Sequence, residues 1–382
     1  MRIETRLARS GLGSDPATGA LSTPIHPSAT FAHPALGETT GYDYSRTGNP
    51  TRRVLEQALA GLEGGTAGFA FASGMAALST LFLLFRPGDH LVVSDDLYGG
   101  TYRTLERVFR AWGLEVTYAD LTDPREAAAA VRSETRGLLV ETPSNPLMKV
   151  ADLRALASLA EARGLLLAVD NTFLTPYYQR PLELGAHLVL HSATKYLGGH
   201  NDLLAGAIVV RDAALAERVG FLQNTTGPVL SPQESWLLLR SLKTLAVRLD
   251  RQSCSAGRIA AFLRAHPGVE RVHYPGFPDH PGHGVMAAQS SGFGAMLSFR
   301  LGSAGAVERF LRRLRIVTFA ESLGGVESLA TVPSRQTHCD IPPHVRSRMG
   351  VTDDLVRLSV GLEAPEDLEE DLSWALGAGE AG

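Results

Sequence analysis

The sequence predicts an α/β fold, in which helices cover both faces of a mostly parallel sheet, followed by a smaller α+β unit. Strand-like and helix-like stretches alternate regularly from about residue 51 to residue 240. The 382 residues are 44% hydrophobic and 20% charged, which is enough for one large core and a second, smaller one. We therefore predict an arm at residues 1–47, an α/β domain at 48–240 and an α+β domain at 241–382.

The first 47 residues are predicted to form an arm because they are rich in glycine, proline, serine and threonine and show little periodicity. Such a segment is either disordered or laid across another surface. It ends in the run Tyr42-Asp-Tyr44-Ser-Arg46, before a helix that is expected to begin near Thr51. From the residues alone, a surface turn and a binding role explain this run equally well.

The elements of the α/β domain follow from apolar runs that are separated by helix-like periodicity. Strands are expected near residues 68–72, 90–93, 115–118, 138–140, 165–169, 187–190 and 205–210, with helices such as 51–63, 75–85, 99–112 and 151–163. A long helix from Pro232 through Trp236 to about His266 is expected to link the two domains. The second domain is expected to contain strands at 294–301 and 356–360 and helices at 304–314 and 364–377.

Two chemically distinctive side chains follow consecutive predicted strands. Asp170 closes the apolar run that begins at Leu165, and Lys195 closes the run that begins at Ala186. In open α/β sheets, ligands bind at the carboxyl ends of the strands, so both side chains are expected to face one crevice. A helix cap would also explain Asp170 if it stood alone.

The chemistry of this pair indicates a site for pyridoxal phosphate. Lysine is scarce, because only Lys149, Lys195 and Lys243 occur among 36 basic residues. A lysine with a lowered pKa forms an imine with an aldehyde, and an aspartate holds a protonated pyridine nitrogen. The survival of a few lysines in an arginine-rich composition is the plainer explanation for Lys149 and Lys243.

A phosphate site is predicted where the strand near 68–72 passes through Ser73-Gly74-Met75 into a helix. Backbone amides and the helix dipole attract anions there, and Gly74 allows close approach of the backbone. Ser192 and Thr194 can add hydroxyl donors. Ser73 alone would also be explained as a plain helix cap.

Further candidates lie in loops and in one late strand. Tyr98 can stack on a flat ring and Asn145 can form hydrogen bonds with it, although a core tyrosine and an Asx-turn are the plainer explanations. Arg357 interrupts an apolar strand and needs an anionic partner, either a substrate carboxylate or a structural ion pair. Glu321 and Ser322 lie in a polar loop that ends in glycine.

Composition and motifs argue against several other classes of protein. The net charge of −4 disfavours a nucleic-acid or anionic-membrane surface, and no apolar run reaches the ~18 residues of a membrane helix. Two cysteines make no disulfide framework and no signal peptide is recognisable, so a cytoplasmic location is expected. His280 and His283 have no third ligand nearby, so no metal site is expected.

Eight short segments carry a more specific signal. They are Tyr44-Ser-Arg46-Thr-Gly-Asn-Pro-Thr, Ser73-Gly74-Met75, Asp96-Leu-Tyr98-Gly-Gly-Thr, Glu141-Thr-Pro-Ser-Asn145-Pro, Val169-Asp170-Asn-Thr, Ser192-Ala-Thr194-Lys195-Tyr, Ala320-Glu321-Ser322-Leu-Gly-Gly and Arg357-Leu-Ser-Val-Gly-Leu-Glu. This ordered set resembles the trans-sulfuration (Cys/Met metabolism) family of pyridoxal-phosphate enzymes, over about residues 3 to 375. The resemblance implies a fold-type I, aspartate aminotransferase-like architecture.

The resemblance also implies roles for individual residues. Lys195 would be the imine lysine, Asp170 would hold the pyridine nitrogen, and Tyr98 would stack on the ring and assist catalysis. The remaining implied contacts are with phosphate for Gly74, Met75, Ser192 and Thr194, and with the substrate carboxylate for Asn145, Ser322 and Arg357. Tyr44 and Arg46 would reach the phosphate of a neighbouring subunit, in a homotetramer built from two dimers with shared active sites.

The implied activity is that of an enzyme with a small amino-acid substrate. Glu321 matches an acidic position typical of cystathionine γ-synthases and γ-lyases, where it can bind a distal ammonium, helped by Asp43. We therefore expect action at Cγ, with the synthase ahead of the lyase. Gly100 and Thr244 stand where methionine γ-lyases carry cysteine and aspartate, which disfavours that activity. Cystathionine β-lyase and O-acylhomoserine sulfhydrylase remain alternatives, and a cofactor-binding protein without turnover would share the fold.

Overall fold

The computed structural model describes residues 1–377, which form two β-sheets with helices packed around them. The strands of the first sheet are β1 Ala67–Phe71, β2 His90–Ser94, β3 Glu115–Ala119, β4 Thr135–Glu141, β5 Leu166–Asp170, β6 Leu188–Ser192 and β7 Gly206–Val210. Their order across the sheet is β1-β7-β6-β5-β4-β2-β3. Strand β7 runs antiparallel to both of its neighbours, and the other pairs are parallel. The predicted mostly parallel sheet is confirmed.

The second sheet is smaller and largely antiparallel. Its strands are β8 Arg271–His273, β9 Met296–Arg300, β10 Thr318–Phe319, β11 Leu329–Thr331 and β12 Leu355–Ser359, in the order β10-β11-β12-β9-β8. All of them lie within the predicted C-terminal domain. The domain boundaries themselves stay a prediction, and residues 378–382 of the last domain lie outside the described part of the chain.

The helices precede, connect and cover these strands. They are α1 Ile3–Ala8, α2 Pro50–Glu63, α3 Gly74–Phe82, α4 Gly99–Thr104, α5 Pro124–Ala130, α6 Leu153–Arg163, α7 Thr175–Tyr178, α8 Ala213–Thr226, α9 Pro232–Leu242, α10 Leu245–Ala265, α11 His283–Gln289, α12 Ala304–Arg313, α13 Pro343–Met349 and α14 Pro365–Leu376. A π-helical turn at Leu105–Phe109 extends α4, and a 3-10 turn at Pro181–Leu184 lies before β6. Several helices are capped at their amino ends by short polar side chains. At the start of α2, for example, the Asn49 side chain accepts hydrogen bonds from the amides of Thr51 and Arg52.

One apolar core joins the two sheets. Strands β2 and β7 are buried along their whole length, as expected for strands covered on both faces. The largest cluster of buried side chains includes Val169 on β5, Leu249 on α10 and Phe299 on β9. The cavity described below is therefore fixed from both sides by a continuous packed interior.

The prediction of one long helix from Pro232 to about His266 is wrong in one respect, because this segment forms two helices, α9 and α10. The side chain of the buried Arg248 on α10 reaches back to the end of α9. Its Nη2 donates to the carbonyl of Ser241 at 3.1 Å, and its Nη1 donates to the carbonyl of Tyr196 at 2.8 Å. The Ser241 carbonyl also accepts the Thr244 amide at 3.2 Å, so Arg248 adds a second bond to the last turn of α9 and ties it to the chain at Tyr196.

The predicted arm has two parts. Helix α1 packs on α2 and α10 and buries Leu7 completely. Beyond α1 the segment up to Gly48 is mostly exposed, with Leu21 74% and Leu36 fully exposed to solvent. None of the helices within residues 1–377 combines the length and apolar character needed to cross a membrane.

Candidate active site

A cavity of about 270 Å³ lies at the carboxyl ends of the parallel strands and is closed by residues of the second sheet and its loops. Most of the residues proposed from the sequence line it. These are Gly74, Met75, Tyr98, Asn145, Asp170, Ser192, Thr194, Lys195, Glu321, Ser322 and Arg357. Tyr44 and Arg46 do not line it.

Lys195 carries a half-buried amine that lacks an ion pair among the residues that the structure describes. Its Nζ donates to Ser322 Oγ at 2.9 Å. Burial and the nearby Arg357 together lower the pKa of Lys195 to about 8, against the opposing effect of Glu321. A substantial fraction of this amine is therefore neutral near physiological pH, as a nucleophile or general base requires.

Asp170 and Glu141 lie side by side, because the last residues of β5 and β4 are paired in the sheet. Burial raises the pKa of Asp170, and the hydrogen bonds from Thr172 and the charge of the nearby His191 offset only part of this rise. The Thr172 amide and hydroxyl donate to Asp170 Oδ1 at 3.0 and 2.5 Å. Burial and the neighbouring Asp170 raise the pKa of Glu141 well above its ordinary value. Of these two carboxyl groups, Asp170 has the smaller rise in pKa and ionises before Glu141.

The amino end of α3 lies directly against the end of β6. Ser73 Oγ accepts the amide of Ala76 at 3.0 Å and so caps the helix. A Cβ atom on Gly74 would lie 2.9 Å from Ser192 Cβ and 3.0 Å from Ser192 Cα, so only glycine allows this approach. The hydroxyl of Thr194 is bonded to both the amide and the carbonyl of Ala205. The first turn of α3 and Ser192 therefore meet at one corner of the cavity, and a helix amino end of this kind is suited to an anion.

Arg357 is a buried cation held by neutral groups. The residue is 1% exposed, and its guanidinium donates to Asn145 Oδ1 at 2.9 Å and to the Ser322 carbonyl at 2.8 Å. Nε has no hydrogen-bond partner, and within residues 1–377 the guanidinium forms no salt bridge. Burial lowers its pKa to about 10, which leaves it charged. The structural ion pair considered from the sequence is therefore absent in the described part of the chain, and a ligand carboxylate can neutralise this charge.

Ser322 joins Lys195 to Arg357. Its hydroxyl contacts Lys195 and its carbonyl contacts Arg357. The residue has a φ of +115°, which lies in a region that side chains other than glycine rarely adopt. A conformation of this kind persists only where surrounding contacts determine it, and such residues cluster at functional sites.

Tyr98 forms another wall of the cavity and precedes α4. Burial raises the pKa of its phenol above the ordinary value, so the hydroxyl is neutral and is a proton donor rather than a phenolate. A Cβ atom on Gly100 would lie 2.3 Å from Tyr98 Cε1. The ring therefore rests against Gly100, and a larger residue there would displace it.

Glu321 lies at the open side of the cavity. It is exposed and also lines an adjoining hollow with Asp202 and Glu234. Its charge raises the pKa of Lys195. The cavity thus contains a buried guanidinium, which can bind a negative group of a substrate, and an exposed carboxylate, which can bind a positive group.

Tyr44 and Arg46 lie outside the cavity, on the exposed arm. The guanidinium of Arg46 lies 5.6 Å from the centre of the Tyr44 ring, and both residues are exposed. Within residues 1–377, neither side chain takes part in lining the cavity. A role in the site of a second subunit stays a prediction.

Three cavity neighbours were not assigned a role from the sequence. Glu141 bonds the Tyr98 amide at 2.9 Å, and Thr172 orients Asp170. His338 bonds the carbonyls of Leu97 and Asn145. The spacing of Asp170 and Thr172 was a usable signal, because a threonine two residues after an aspartate commonly bonds it. His338 left no such signal.

Pyridoxal phosphate fits this set of residues. The cavity offers a half-buried amine with a lowered pKa, a half-buried aspartate that Thr172 orients, and a helix amino end held close by Gly74. These groups match an aldehyde, a protonated pyridine nitrogen and a phosphate respectively.

Comparison with known proteins identifies a family that depends on the same cofactor. The family model described as "Cys/Met metabolism PLP-dependent enzyme" matches residues 4–377. A cystathionine gamma-lyase of Bacillus subtilis is 50% identical, with 98% of this chain and 99% of that protein covered. A cystathionine beta-lyase of Lactococcus lactis is 48% identical, with 98% of each covered. The crystal structure of cystathionine gamma synthase from Xanthomonas oryzae in complex with aminoacrylate and cysteine superimposes with a TM-score of 0.97 at 44% identity, covering 100% of this chain and 99% of the other.

Proposed function

The chain belongs to the Cys/Met metabolism family of PLP-dependent enzymes, and on that basis we propose that it acts at Cγ of cystathionine or of a homoserine ester. The observation that carries the proposal is that Arg357, Lys195 and Glu321 line one cavity. A substrate with a carboxylate beside the reacting carbons and an ammonium at its far end satisfies both charged groups. L-Cystathionine has this distribution of charge.

The substrate-binding roles follow from charge and hydrogen bonding. Arg357 and Asn145 hold the α-carboxylate, and Ser322 fixes the orientation of the guanidinium through its carbonyl. Glu321 pairs with the distal ammonium, which cystathionine and cysteine both carry. The same groups therefore serve cleavage of cystathionine and its synthesis from a homoserine ester and cysteine.

The proton transfers are assigned to Lys195 and Tyr98. When bound, pyridoxal phosphate supplies an electron sink that stabilises negative charge at the substrate Cα. Lys195, with a pKa of about 8, removes the proton from Cα and then moves a proton at Cβ, which is required before a group leaves Cγ. The neutral phenol of Tyr98 donates a proton to the departing sulfur or oxygen.

A β-lyase is the competing activity, and the name of the Lactococcus lactis relative favours it. For that reaction, removal of the Cα proton alone allows sulfur to leave Cβ. The cavity residues named above serve either reaction, so the position of the bond that breaks must be measured.

The decisive measurement is the keto acid released from L-cystathionine by the purified protein with pyridoxal phosphate. We expect 2-oxobutyrate together with cysteine, identified by mass, and no keto acid from the Lys195→Ala variant. Pyruvate with homocysteine would mean β-cleavage and would overturn the proposed Cγ specificity. Incubation of an acylhomoserine with cysteine then measures how far synthesis exceeds breakdown.

The proposed assembly is a homotetramer of two dimers with shared sites. Its support is the exposed arm, in which Tyr44 and Arg46 have no place in the cavity of their own chain. A cytoplasmic location is proposed as well, because Cys254 and Cys339 are both free thiols.

A further inference from the structure

The peptide group between Leu97 and Tyr98 is held on both sides by side chains from other parts of the chain. Glu141 Oε2 accepts its N–H at 2.9 Å. His338 Nε2 lies 3.0 Å from its carbonyl oxygen and also 3.0 Å from the carbonyl oxygen of Asn145. The backbone that carries Tyr98 is therefore tied to the backbone that carries Asn145.

The hydrogen bonds determine the protonation state of His338. Because Nε2 faces two carbonyl oxygens, it must carry a proton that both share. Nδ1 lies 2.8 Å from Thr337 Oγ1 and accepts its hydroxyl proton. The ring is fully buried, and burial, with a further contribution from Arg357, lowers its pKa to about 4. A neutral imidazole thus serves as a fixed donor to two loops.

The approach of these segments depends on Gly99. A Cβ atom there would lie 2.0 Å from the Thr337 carbonyl oxygen and 3.0 Å from His338 Cα. Arg103 on α4 also pairs with Asp340 at 2.8 Å. The segment from Thr337 to Asp340 is thus packed and charge-paired against the beginning of α4.

The contacts of His338 connect the groups that meet ring and substrate. The backbone carbonyl of Asn145 bonds His338, and the side-chain oxygen of Asn145 accepts a hydrogen bond from the Arg357 guanidinium at 2.9 Å. The Leu97 carbonyl, which belongs to the peptide that leads into Tyr98, shares the same Nε2 proton. A change at His338 therefore alters the spacing between the stacking residue and the carboxylate-binding residues without removing either.

We propose that His338, together with Glu141 on the opposite side of the Leu97–Tyr98 peptide, is a positioning residue that sets the distance between Tyr98 and the Asn145–Arg357 pair. This inference rests on the proposed function only in taking Tyr98 as the ring contact and Asn145 with Arg357 as the carboxylate site. It assigns no chemical step to the imidazole.

The test compares His338→Leu, which removes the donor, with His338→Gln, whose amide nitrogen can replace Nε2. We expect KM for L-cystathionine to rise at least tenfold in His338→Leu, with a smaller change in kcat, and His338→Gln to stay within about threefold of the parent protein. His90→Leu is the matched control. His90 is equally buried but bonds Thr135 and Thr117 at the other end of β2. We expect it to lower the melting temperature and leave KM unchanged.

A second readout does not depend on turnover. The visible circular dichroism of bound pyridoxal phosphate reports the orientation of the ring against Tyr98, and we expect it to change in His338→Leu and to be retained in His338→Gln. If His338→Leu does not fold, Glu141→Leu replaces it, because it frees the amide on the other side of the same peptide.

A double-mutant cycle with Tyr98→Ala completes the test. If His338 acts through Tyr98, the loss in kcat/KM caused by His338→Leu shrinks in the Tyr98→Ala background. A folded His338→Leu protein with unchanged KM and dichroism, or strictly additive losses, would overturn the inference. All ratios are measured on whichever keto acid the parent protein releases, so release of pyruvate contradicts only the proposed Cγ specificity.

Discussion

At the scale of single residues, the structure separates two lysines by their surroundings. Lys149 Nζ lies 3.0 Å from Asp95 and 2.9 Å from Asp120. Burial alone would lower its pKa, but the bonds to Asp120 and Asp95 outweigh burial, and the pKa is raised. Lys195 has Ser322 in place of a carboxylate, and its pKa falls. Only the second lysine is suited to react as a neutral amine.

The lowered pKa of Lys195 makes cofactor uptake dependent on pH. An ammonium cannot attack an aldehyde, so the rate at which apoprotein takes up pyridoxal phosphate is expected to rise as pH increases through about 8. Glu321→Gln removes a charge that raises the pKa of Lys195, so the midpoint of the rise is expected to move to lower pH. Stopped-flow absorbance of the bound cofactor measures both.

The control for this experiment is Glu308→Gln, which removes an exposed acid on α12. It is expected to leave the midpoint where it is in the parent protein. An unchanged midpoint in Glu321→Gln would show that the charge of Glu321 does not reach Lys195.

At the scale of elements, strand ends were predictable and helix ends less so. Asp170 and Lys195 were expected in one crevice because a general rule concerns the carboxyl ends of strands, and the cavity brings them together. The break between α9 and α10 was not predictable, and neither were the tertiary contacts of Arg248 with Ser241 and Tyr196. The local sequence pattern shows where an apolar strand ends, but it does not show which distant groups a side chain such as Arg248 will contact.

The close contact between α3 and β6 gives a prediction for Gly74→Ala. The added methyl group meets Ser192 backbone and side-chain atoms, so the first turn of α3 must move away from β6. We expect the free energy of unfolding to fall by about 1–3 kcal/mol, the usual effect of overpacking, and the Kd for pyridoxal phosphate to rise about tenfold. Urea unfolding and fluorescence titration measure the two effects.

Gly284→Ala is the matched control for Gly74→Ala. Gly284 also lies in the first turn of a short helix, α11, and an added Cβ atom would meet nothing within 4 Å. We expect stability to be unchanged or slightly increased, since alanine restricts the unfolded chain more than glycine. Equal losses in both variants would indicate a general intolerance of alanine in these turns.

At the scale of the whole molecule, the cavity is assembled from segments that are far apart in the sequence. Leu97 and His338 are 241 residues apart, and Asn145 and Arg357 are 212 residues apart. Arg357 was found from the sequence because a cation in an apolar strand is unusual. His338 was not, because its partners are backbone carbonyls, which leave no trace in residue type.

If each active site contains residues of two subunits, two inactive variants are expected to restore activity to each other in a hybrid dimer. Arg46→Ala removes the proposed contact with the partner's phosphate, and Lys195→Ala removes the reactive amine. We expect each homo-oligomer to be inactive or nearly so. Mixed, unfolded and refolded together, the two variants are expected to recover activity, because a hybrid dimer contains one site with both residues intact.

The readout of the mixing experiment is keto acid release after co-refolding at equal concentrations. Size-exclusion chromatography of the parent protein reports the assembly. Absence of recovery in confirmed hybrids would contradict a shared site and would leave the exposed arm without the proposed role.

The bonds from Glu141 and His338 to the Leu97–Tyr98 peptide have a consequence for synthesis of the protein on the ribosome. A growing chain completes Asp170 and Lys195 well before His338 and Arg357 emerge. Until then, the nascent α/β domain lacks the buried guanidinium and the imidazole that closes the loop after β2. The residues proposed to hold the cofactor are thus synthesised before Arg357, on which the proposed substrate-carboxylate site depends, so substrate recognition is the last part of the site that the growing chain completes.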